Sequence, residues 1–410
     1  MPASTPIVWH ETTQRLGYAE LFQQFADTAA ERDTSHRLIH AEVAALKQRG
    51  FGALRLPKEQ GGQAVSLPEL FWLARDLATA DPNIAHIFRN HFFAVEQHLR
   101  TPDQPFSRHL LEQIGAGKTL GVAFNEQTGE PAGSVGRVPA TQLEWSEARQ
   151  GWQISGRKIY STGNIYADYL LATASDPSSG QVRQFFVATD APGVHLDDDW
   201  DSFGQKLTGS GSTVFDRVLV QGHDLFDLPP RATADGHTLY GFTFHQVYLT
   251  TAVSGIANRV LADAIALVRR RQRNFYHGLA DTPAQEPEIQ ATVGRIAAHR
   301  SAVLAVVDRA IQALERSWHP SDDPAETHAR SLAATLAASE AKIVTDEATA
   351  QLASLLIDVG SGSGVSATAA LDRHWRNARV IASHNPRTYK ERILGDHYLN
   401  GTLPPTGAFF

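Results

Sequence analysis

The sequence predicts an α+β protein of several domains. An N-terminal helical domain spans residues 1–117, a middle β-barrel or β-sandwich domain 118–233, and a C-terminal four-helix bundle 234–410. Three observations carry this reading. Apolar residues recur at three- and four-residue steps through 12–117, the period of a helix face. Short β-rich runs separated by turn residues follow, from 120 to 220. Long alanine-rich stripes at helical spacing then fill 242–356, and a last helical stretch completes a bundle.

Leu16, Ala19, Leu21, Phe22, Phe25 and Ala29 open the first stripe, and Ile39, Val43 and Leu46 continue it. Phe51 to Gly62 reads as a loop, punctuated by Pro57 and a glycine pair. Ser66-Leu-Pro-Glu69 has the form of a helix start, with a serine cap, an early proline and a glutamate three residues on. Asp81-Pro82 begins another helix, which carries Asn90-His91-Phe92-Phe93, and Gly115 and Gly117 end this half. The run Leu120 to Phe124 opens the β region. Strands are expected at 142–145, 151–154, 169–172, 184–188 and 213–220. In the last region Val247, Leu249, Val253, Ile256, Val260, Leu261, Ile265 and Val268 form one stripe, and 289–314 and 331–356 form two more. The loop Gly360-Ser-Gly-Ser-Gly364 leads into a stretch with Leu371, Trp375, Ala378 and Ala382 at helical spacing. Pro386 should stop that helix at His384, because the residue before a proline is pushed out of the α region. A histidine at a helix end among arginines either faces an anionic cofactor or caps a carbonyl; these residues alone leave both readings open.

A formal net charge of -7 argues against a general nucleic-acid binder. The chain has no cysteine, which excludes disulfides, thiolate metal sites and a cysteine nucleophile; no metal site is expected. The first residues lack the basic and apolar regions of a signal peptide, and no apolar run of 18 residues is apparent. A cytoplasmic enzyme without a membrane span is the expectation.

Several motifs are more specific. Trp152-Gln-Ile-Ser-Gly-Arg-Lys-Ile-Tyr-Ser161-Thr-Gly-Asn-Ile-Tyr-Ala-Asp168 and Phe203-Gly-Gln-Lys-Leu-Thr-Gly-Ser-Gly-Ser-Thr-Val-Phe-Asp-Arg-Val-Leu-Val220 resemble the two β-domain signatures of the acyl-CoA dehydrogenase superfamily. The order helical, β, helical bundle is that family's order. One departure is informative. A dehydrogenase of this family needs a carboxylate base, yet no Asp or Glu occurs from 373 to 390 or from 236 to 262, the two expected places. The chain looks most similar to the superfamily's flavin-dependent monooxygenase branch, the dibenzothiophene and alkylsulfone monooxygenases. Asn90-His91, Phe124-Asn125-Glu126, Tyr160-Ser161, Asp199-Trp200 and Ser383-His384-Asn385-Pro386 carry that likeness.

The resemblance implies roles. His384 and Ser161 would hydrogen-bond a flavin–oxygen adduct, His91 would face the substrate, and Asn125 would hold substrate or flavin by its amide. Tyr160 and Thr162 would line the flavin, and Trp200 would pack against the flavin ring or the substrate. Arg271 and Arg273, with Ser361 and Ser363, would reach a flavin phosphate, the arginines in an adjacent subunit. A histidine three residues before His384 and a tyrosine on the His91 helix, both expected in such enzymes, correspond to Ile381 and Val95. The implied activity is a two-component monooxygenase using FMNH2, with FAD as the other possibility, and O2. A C4a-hydroperoxyflavin would pass oxygen to a small organosulfur compound: a sulfide, sulfoxide or sulfone. Its partners would be an NAD(P)H-dependent flavin reductase and a small-molecule substrate, and its assembly a homotetramer. N-hydroxylation or aromatic hydroxylation on the same fold is the alternative. An acyl-CoA dehydrogenase, or a helical assembly protein without cofactor, stands further off.

Overall fold

A computed structural model describes residues 7–127, 131, 133, 138–227, 240–319 and 321–409. Six helices open the chain: α1 (Glu11–Arg15), α2 (Ala19–Ser35), α3 (His40–Gln48), α4 (Leu67–Ala80), α5 (Pro82–Leu99) and α6 (Pro105–Gly115). The capping box at Ser66 and Glu69 is formed in both directions, and the Asp81 side chain caps α5 through the amide of Asn83. The β region holds β1 (Leu120–Ala123), β2 (Gln142–Ser146), β3 (Gly151–Lys158), β4 (Tyr169–Ser175), β5 (Val182–Ala188), β6 (Val194–Leu196), β7 (Thr213–Val220) and β8 (Leu225–Asp227). The bundle follows with α7 (Tyr240–Arg270), α8 (Pro287–Trp318), α9 (Pro324–Gly360), α10 (Arg373–Ala382) and α11 (Arg387–Asn400). The expected boundary at 233/234 lies outside the described residues.

The strands hydrogen-bond into one sheet, in the order β6-β7-β3-β2-β4-β5-β8, with β1 also paired to β4. That sheet folds over on itself. Ile154, Phe215 and Val218 from one half share a core with Leu170, Ala172 and Phe185 from the other. The sandwich-like interior therefore comes from one bent sheet.

The helices at both ends of the chain share a core. Phe22, Phe51, Phe71 and Phe92 join Phe244, Tyr248, Ile256 and Leu352 in one buried cluster, and the Phe71 ring meets Phe244 edge-on at 5.3 Å. Each such side chain stabilises the fold by roughly 1.5–3 kcal/mol relative to exposure. Helix α7 packs against α4, α5, α8 and α9 at the centre of this core. By length and composition α7 is apolar enough to cross a membrane, a correction to the expectation that no such segment exists, but most of its apolar window is buried inside the protein. The fourth bundle position is filled by two helices, α10 and α11, both packed on α9. They break at Ser383–Pro386, as the proline requires, and the break exposes His384.

Candidate active site

One face of α5 forms the helical wall of the site. His86, Arg89, Asn90 and Phe93 fall at positions i, i+3, i+4 and i+7, which places them on one stripe. His86 Nδ1 donates to Gln205 Oε1 at 2.9 Å. Arg89 Nη1 lies 2.8 Å from His384 Nε2. Asn90 Nδ2 donates to the Thr162 carbonyl at 3.1 Å. Phe93 stacks on His245 of α7 at 4.1 Å. The stripe thus reaches the β domain, the α10–α11 break and α7 together.

Because the guanidinium can only donate, His384 Nε2 is the acceptor. The ring is then neutral, with its proton on Nδ1, which has no partner among the described residues. Its pKa is pushed well below the usual value, first by the protein atoms crowded round it and then by the charge of Arg89 and the neighbouring His245, His86 and Lys342. His384 is nevertheless exposed at its surface. The charge of Arg89 at 2.8 Å gives the same direction without any appeal to burial.

The β wall is the segment after β3. It is held by backbone bonds from Ile159 to the Asn125 carbonyl (2.9 Å), from Ser161 to Gly211 (3.0 Å) and from Gly163 to Thr208 (2.9 Å). Tyr160 takes a left-handed conformation, φ 53°, which a tyrosine adopts only where its surroundings impose it. Its ring is 59% exposed and meets Trp200 edge-on at 6.0 Å. The Trp200 indole N–H donates to the Gln205 carbonyl at 3.0 Å, so its ring face remains for packing. Ser161 is buried, and its hydroxyl has no partner among the described residues. Thr162 Oγ1 instead pairs with Ser210 Oγ at 2.9 Å. Asn125 is exposed at the end of β1, beside this segment. The loop from Trp200 to Thr208 is pressed onto α10: a Cβ on Gly204 would come within 2.4 Å of the Arg376 carbonyl.

Helix α10 is itself anchored by charge. Asp263 of α7 receives Arg259 (2.8 Å), Arg373 (3.1 Å) and His374 (2.7 Å). Burial works to raise its carboxyl, but Arg259, His374 and Arg373 outweigh that and hold it well below the ordinary carboxylate range. Arg376 adds a 2.6 Å pair to Asp33 of α2. After α11 the chain returns to the site. Gln246 and Lys390 donate to the carbonyls of Ala408 and Phe409, and the Phe409 ring sits edge-on to His384 at 5.9 Å.

The structure thus gathers Tyr160, Ser161, Thr162, Trp200, Asn125 and His384 around one region. It excludes His91. That ring is buried on the opposite side of α5; Nε2 donates to the Gly52 carbonyl at 2.8 Å and Nδ1 accepts from the Leu120 amide at 3.1 Å. With both nitrogens occupied by backbone, His91 ties α5 to the loop at Phe51 and to β1. A Cβ on Gly52 would lie 2.9 Å from its Nε2. The stripe position facing the site is Arg89, and the aromatic one is Phe93, whereas Val95 packs in a separate core with Phe106 and Leu110. Arg271 and Arg273 lie just beyond the end of α7, not on it. Arg271 donates to the Val359 carbonyl at 2.7 Å, which puts it with Ser361 and Ser363 at the far end of α9. That end is about 25 Å along the helix from Lys342, which donates to the carbonyl of Ala382. These four residues therefore do not meet His384 within one protomer. His86, Arg89 and His245 were missed. The signal for them was a polar stripe at 86, 89 and 90 within an otherwise apolar helix. Among the described residues no cluster of His, Asp and Glu is arranged to hold a metal.

The chain is similar to known proteins. Two family models match: the acyl-CoA dehydrogenase middle domain over residues 126–218 and the acyl-CoA dehydrogenase C-terminal domain over 247–387. "Probable FMNH2-dependent monooxygenase SfnC" of Pseudomonas putida is 27% identical over 390 residues, covering 94% of each chain. Dibenzothiophene monooxygenase of Rhodococcus qingshengii is 26% identical over 401 residues, covering 94% of this chain and 93% of its own. The crystal structure of FMN-bound TdsC from Paenibacillus sp. A11-2 superposes with a TM-score of 0.86 at 25% identity, over 98% of this chain and 100% of that one. Methanesulfinate monooxygenase MsuC from Pseudomonas fluorescens gives 0.84 at 26%, with the same coverage. The chain belongs to the acyl-CoA dehydrogenase superfamily, and these homologues are its flavin-dependent monooxygenases.

Proposed function

We propose that this chain is the oxygenase component of a two-component monooxygenase. It takes reduced FMN from a separate NAD(P)H-dependent flavin reductase and oxygenates a small organosulfur compound. The observation that carries the reading is that no Asp or Glu occurs from 373 to 390, the stretch around His384 where a dehydrogenase needs its base, and that among the described residues no carboxylate bonds to His384. The neighbouring groups are neutral imidazoles and a guanidinium instead.

The residues fit a flavin. Ser161 offers a buried hydroxyl without a partner among the described residues, and Tyr160 and Trp200 offer ring surface beside it. When bound, reduced FMN activates O2 and supplies the oxygen atom. Tyr160, Thr162 and Trp200 would hold the ring system from the β side. The Ser161 hydroxyl and the His384 Nδ1–H would donate to groups at its reacting edge. Arg89 fixes the tautomer of His384, so that a donor faces the cleft. Phe409 edge-on to His384 and Phe93 stacked on His245 would supply apolar surface at the reacting end.

Phosphate contacts would come from the end of α7 and α9 in a neighbouring protomer, where Arg271, Arg273, Ser361 and Ser363 gather. That supports a homotetramer, as do the exposed apolar side chains of Tyr276, Leu279, Tyr398 and Leu399. The test combines the protein with NADH, a flavin reductase, FMN, O2 and a panel of sulfides, sulfones, sulfinates and amines, with products read by mass. Bleaching of bound FMN by acyl-CoA under anaerobic conditions would refute the reading. Light scattering tests the tetramer.

A further inference from the structure

Trp200 is met by two residues whose backbone is left-handed, Tyr160 (φ 53°) and Gln205 (φ 51°). Tyr160 is exposed, but Gln205 is fully buried, with 0% of its surface exposed. A residue with a Cβ is strained in that region, and a glycine would not be. Glutamine therefore stands at 205 for its side chain. That side chain accepts from His86 Nδ1 of α5 at 2.9 Å. The Gln205 backbone N–H donates to Asn377 Oδ1 of α10 at 2.6 Å. Two helices thus pin one residue, and the left-handed backbone between them fixes where its carbonyl points.

That carbonyl is the end of two lines of contact. The Trp200 indole N–H donates to it at 3.0 Å, and so does Thr208 Oγ1 at 2.8 Å. A threonine hydroxyl has one proton, so Thr208, having given its own to a carbonyl, accepts from Ser210 Oγ at 2.7 Å. Ser210 in turn accepts from Thr162 Oγ1 at 2.9 Å. The buried hydroxyls run in one direction, from Thr162 through Ser210 and Thr208 to Gln205.

We infer that Gln205 is a positioning residue. Through one carbonyl it sets the Trp200 ring and the direction of the Thr162 hydroxyl, and its bond to His86 makes both depend on α5. The flavin contacts of Trp200 and Thr162 rest on the reading above; the bonds that place them do not. The same helix carries Arg89, whose guanidinium bonds to His384. A tilt of α5 would therefore move the helical wall and the Trp200 ring together.

The experiment uses the full chain labelled with fluorotryptophan. The fluorine NMR line of Trp200 is identified by its loss in Trp200→Phe, and FMN is titrated into unlabelled protein by quenching of flavin fluorescence. Gln205→Leu keeps most of the side-chain bulk but gives His86 no acceptor. It should displace the Trp200 line by more than its width and weaken FMN about three- to tenfold. Gln205→Glu restores an acceptor in the same place. It should return the line to its wild-type position and keep FMN affinity within about threefold of wild type. His86→Leu cuts the same bond from the other end and should displace the line in the same way, which keeps the test open if Gln205→Leu does not fold. A Trp200 line unmoved in the leucine variants overturns the proposal. So does equal displacement in Gln205→Glu and Gln205→Leu, since packing and not the bond would then be at work. If the line moves and returns as expected but FMN binding is absent or the same in every variant, the positioning stands and the reading of Trp200 and Thr162 as flavin contacts falls.

Discussion

Replacing His384 by alanine isolates the cleft-facing donor. The ring occupies the break between α10 and α11, accepts from Arg89 at 2.8 Å and leaves Nδ1–H to the open side. Its removal has two separable effects. The guanidinium loses its acceptor among the described residues, which destabilises the fold by about 1.5–3 kcal/mol, the range for a hydrogen bond to a charged group. The reacting edge of the flavin loses a donor. A preorganised donor in a closed site is worth roughly 10²–10³ in rate, and less here because water reaches the exposed ring and partly replaces it. We expect a 10- to 100-fold fall in product per FMNH2 oxidised, with a matching rise in H2O2 and an FMN affinity near wild type. The assay supplies FMNH2 anaerobically, adds O2 and substrate, and measures product and H2O2 in one reaction. His384→Gln, which keeps an N–H donor, should recover part of the coupling. Wild-type coupling in the alanine variant would refute the reasoning, and so would equal damage in both variants.

Other consequences follow from the same contacts. His91→Ala should lower stability by about 2–4 kcal/mol, since the Gly52 carbonyl and the Leu120 amide both lose buried partners. Denaturant melts give that number, and the folded variant should keep its substrate KM; a raised KM would return His91 to the site. Ser161→Ala removes a hydroxyl with no partner among the described residues, so Tm should hold or rise while FMN affinity falls about three- to tenfold; unchanged FMN binding would rule out the hydroxyl as a flavin contact. Asp263→Asn leaves Arg259, Arg373 and His374 without their carboxylate and should cost about 3–5 kcal/mol, with a loss of coupling as α10 and His384 shift; a variant as stable as wild type would show that the anchor is idle. Stability should also fall in acid. Burial lowers His86 to about 3 and His91, His98 and His374 to about 4. The unfolded chain therefore binds more protons between those values and about 6.5, so stability is full above that window and is lost as pH falls through it, at up to about 1.4 kcal/mol per pH unit for each histidine. A Tm that is flat from pH 7 to pH 5 would contradict this.

The fold was legible because its elements are long or sharply punctuated. The Ser66 capping box, Asp81-Pro82 and Pro386 each act within a few residues of chain, and each ends or begins a helix where the local rule puts it. The β wall was legible for a similar reason: Tyr160, Ser161 and Thr162 are consecutive, so a motif match places all three at once. The helical wall was not. Asn90 and His91 are adjacent in sequence but point about 100° apart on a helix. Taking them as a pair put the histidine in the site, whereas the fold puts Asn90 there and sends His91 to the backbone of Gly52 and Leu120. Reading the helix by its stripe instead gives His86, Arg89, Asn90 and Phe93. His245 could not be read at all, since only the packing of α5 on α7 brings it to Phe93.

That correction changes the chemistry of the site. With His91 facing the cleft, the wall would be an uncharged one, suited to a neutral sulfide or an aromatic ring. With Arg89 there, a fixed positive charge lies 2.8 Å from the histidine proposed to face the reacting atoms. The charge keeps His384 neutral, since protonating the ring would place two cations in contact. A neutral ring pinned at Nε2 can donate only through Nδ1, so one guanidinium sets the direction of the donor. Swapping Arg89 for leucine should therefore free the tautomer of His384 and lower the product formed per FMNH2 oxidised, with product and H2O2 measured together. Unchanged coupling would mean that Arg89 serves the fold and does not orient the donor.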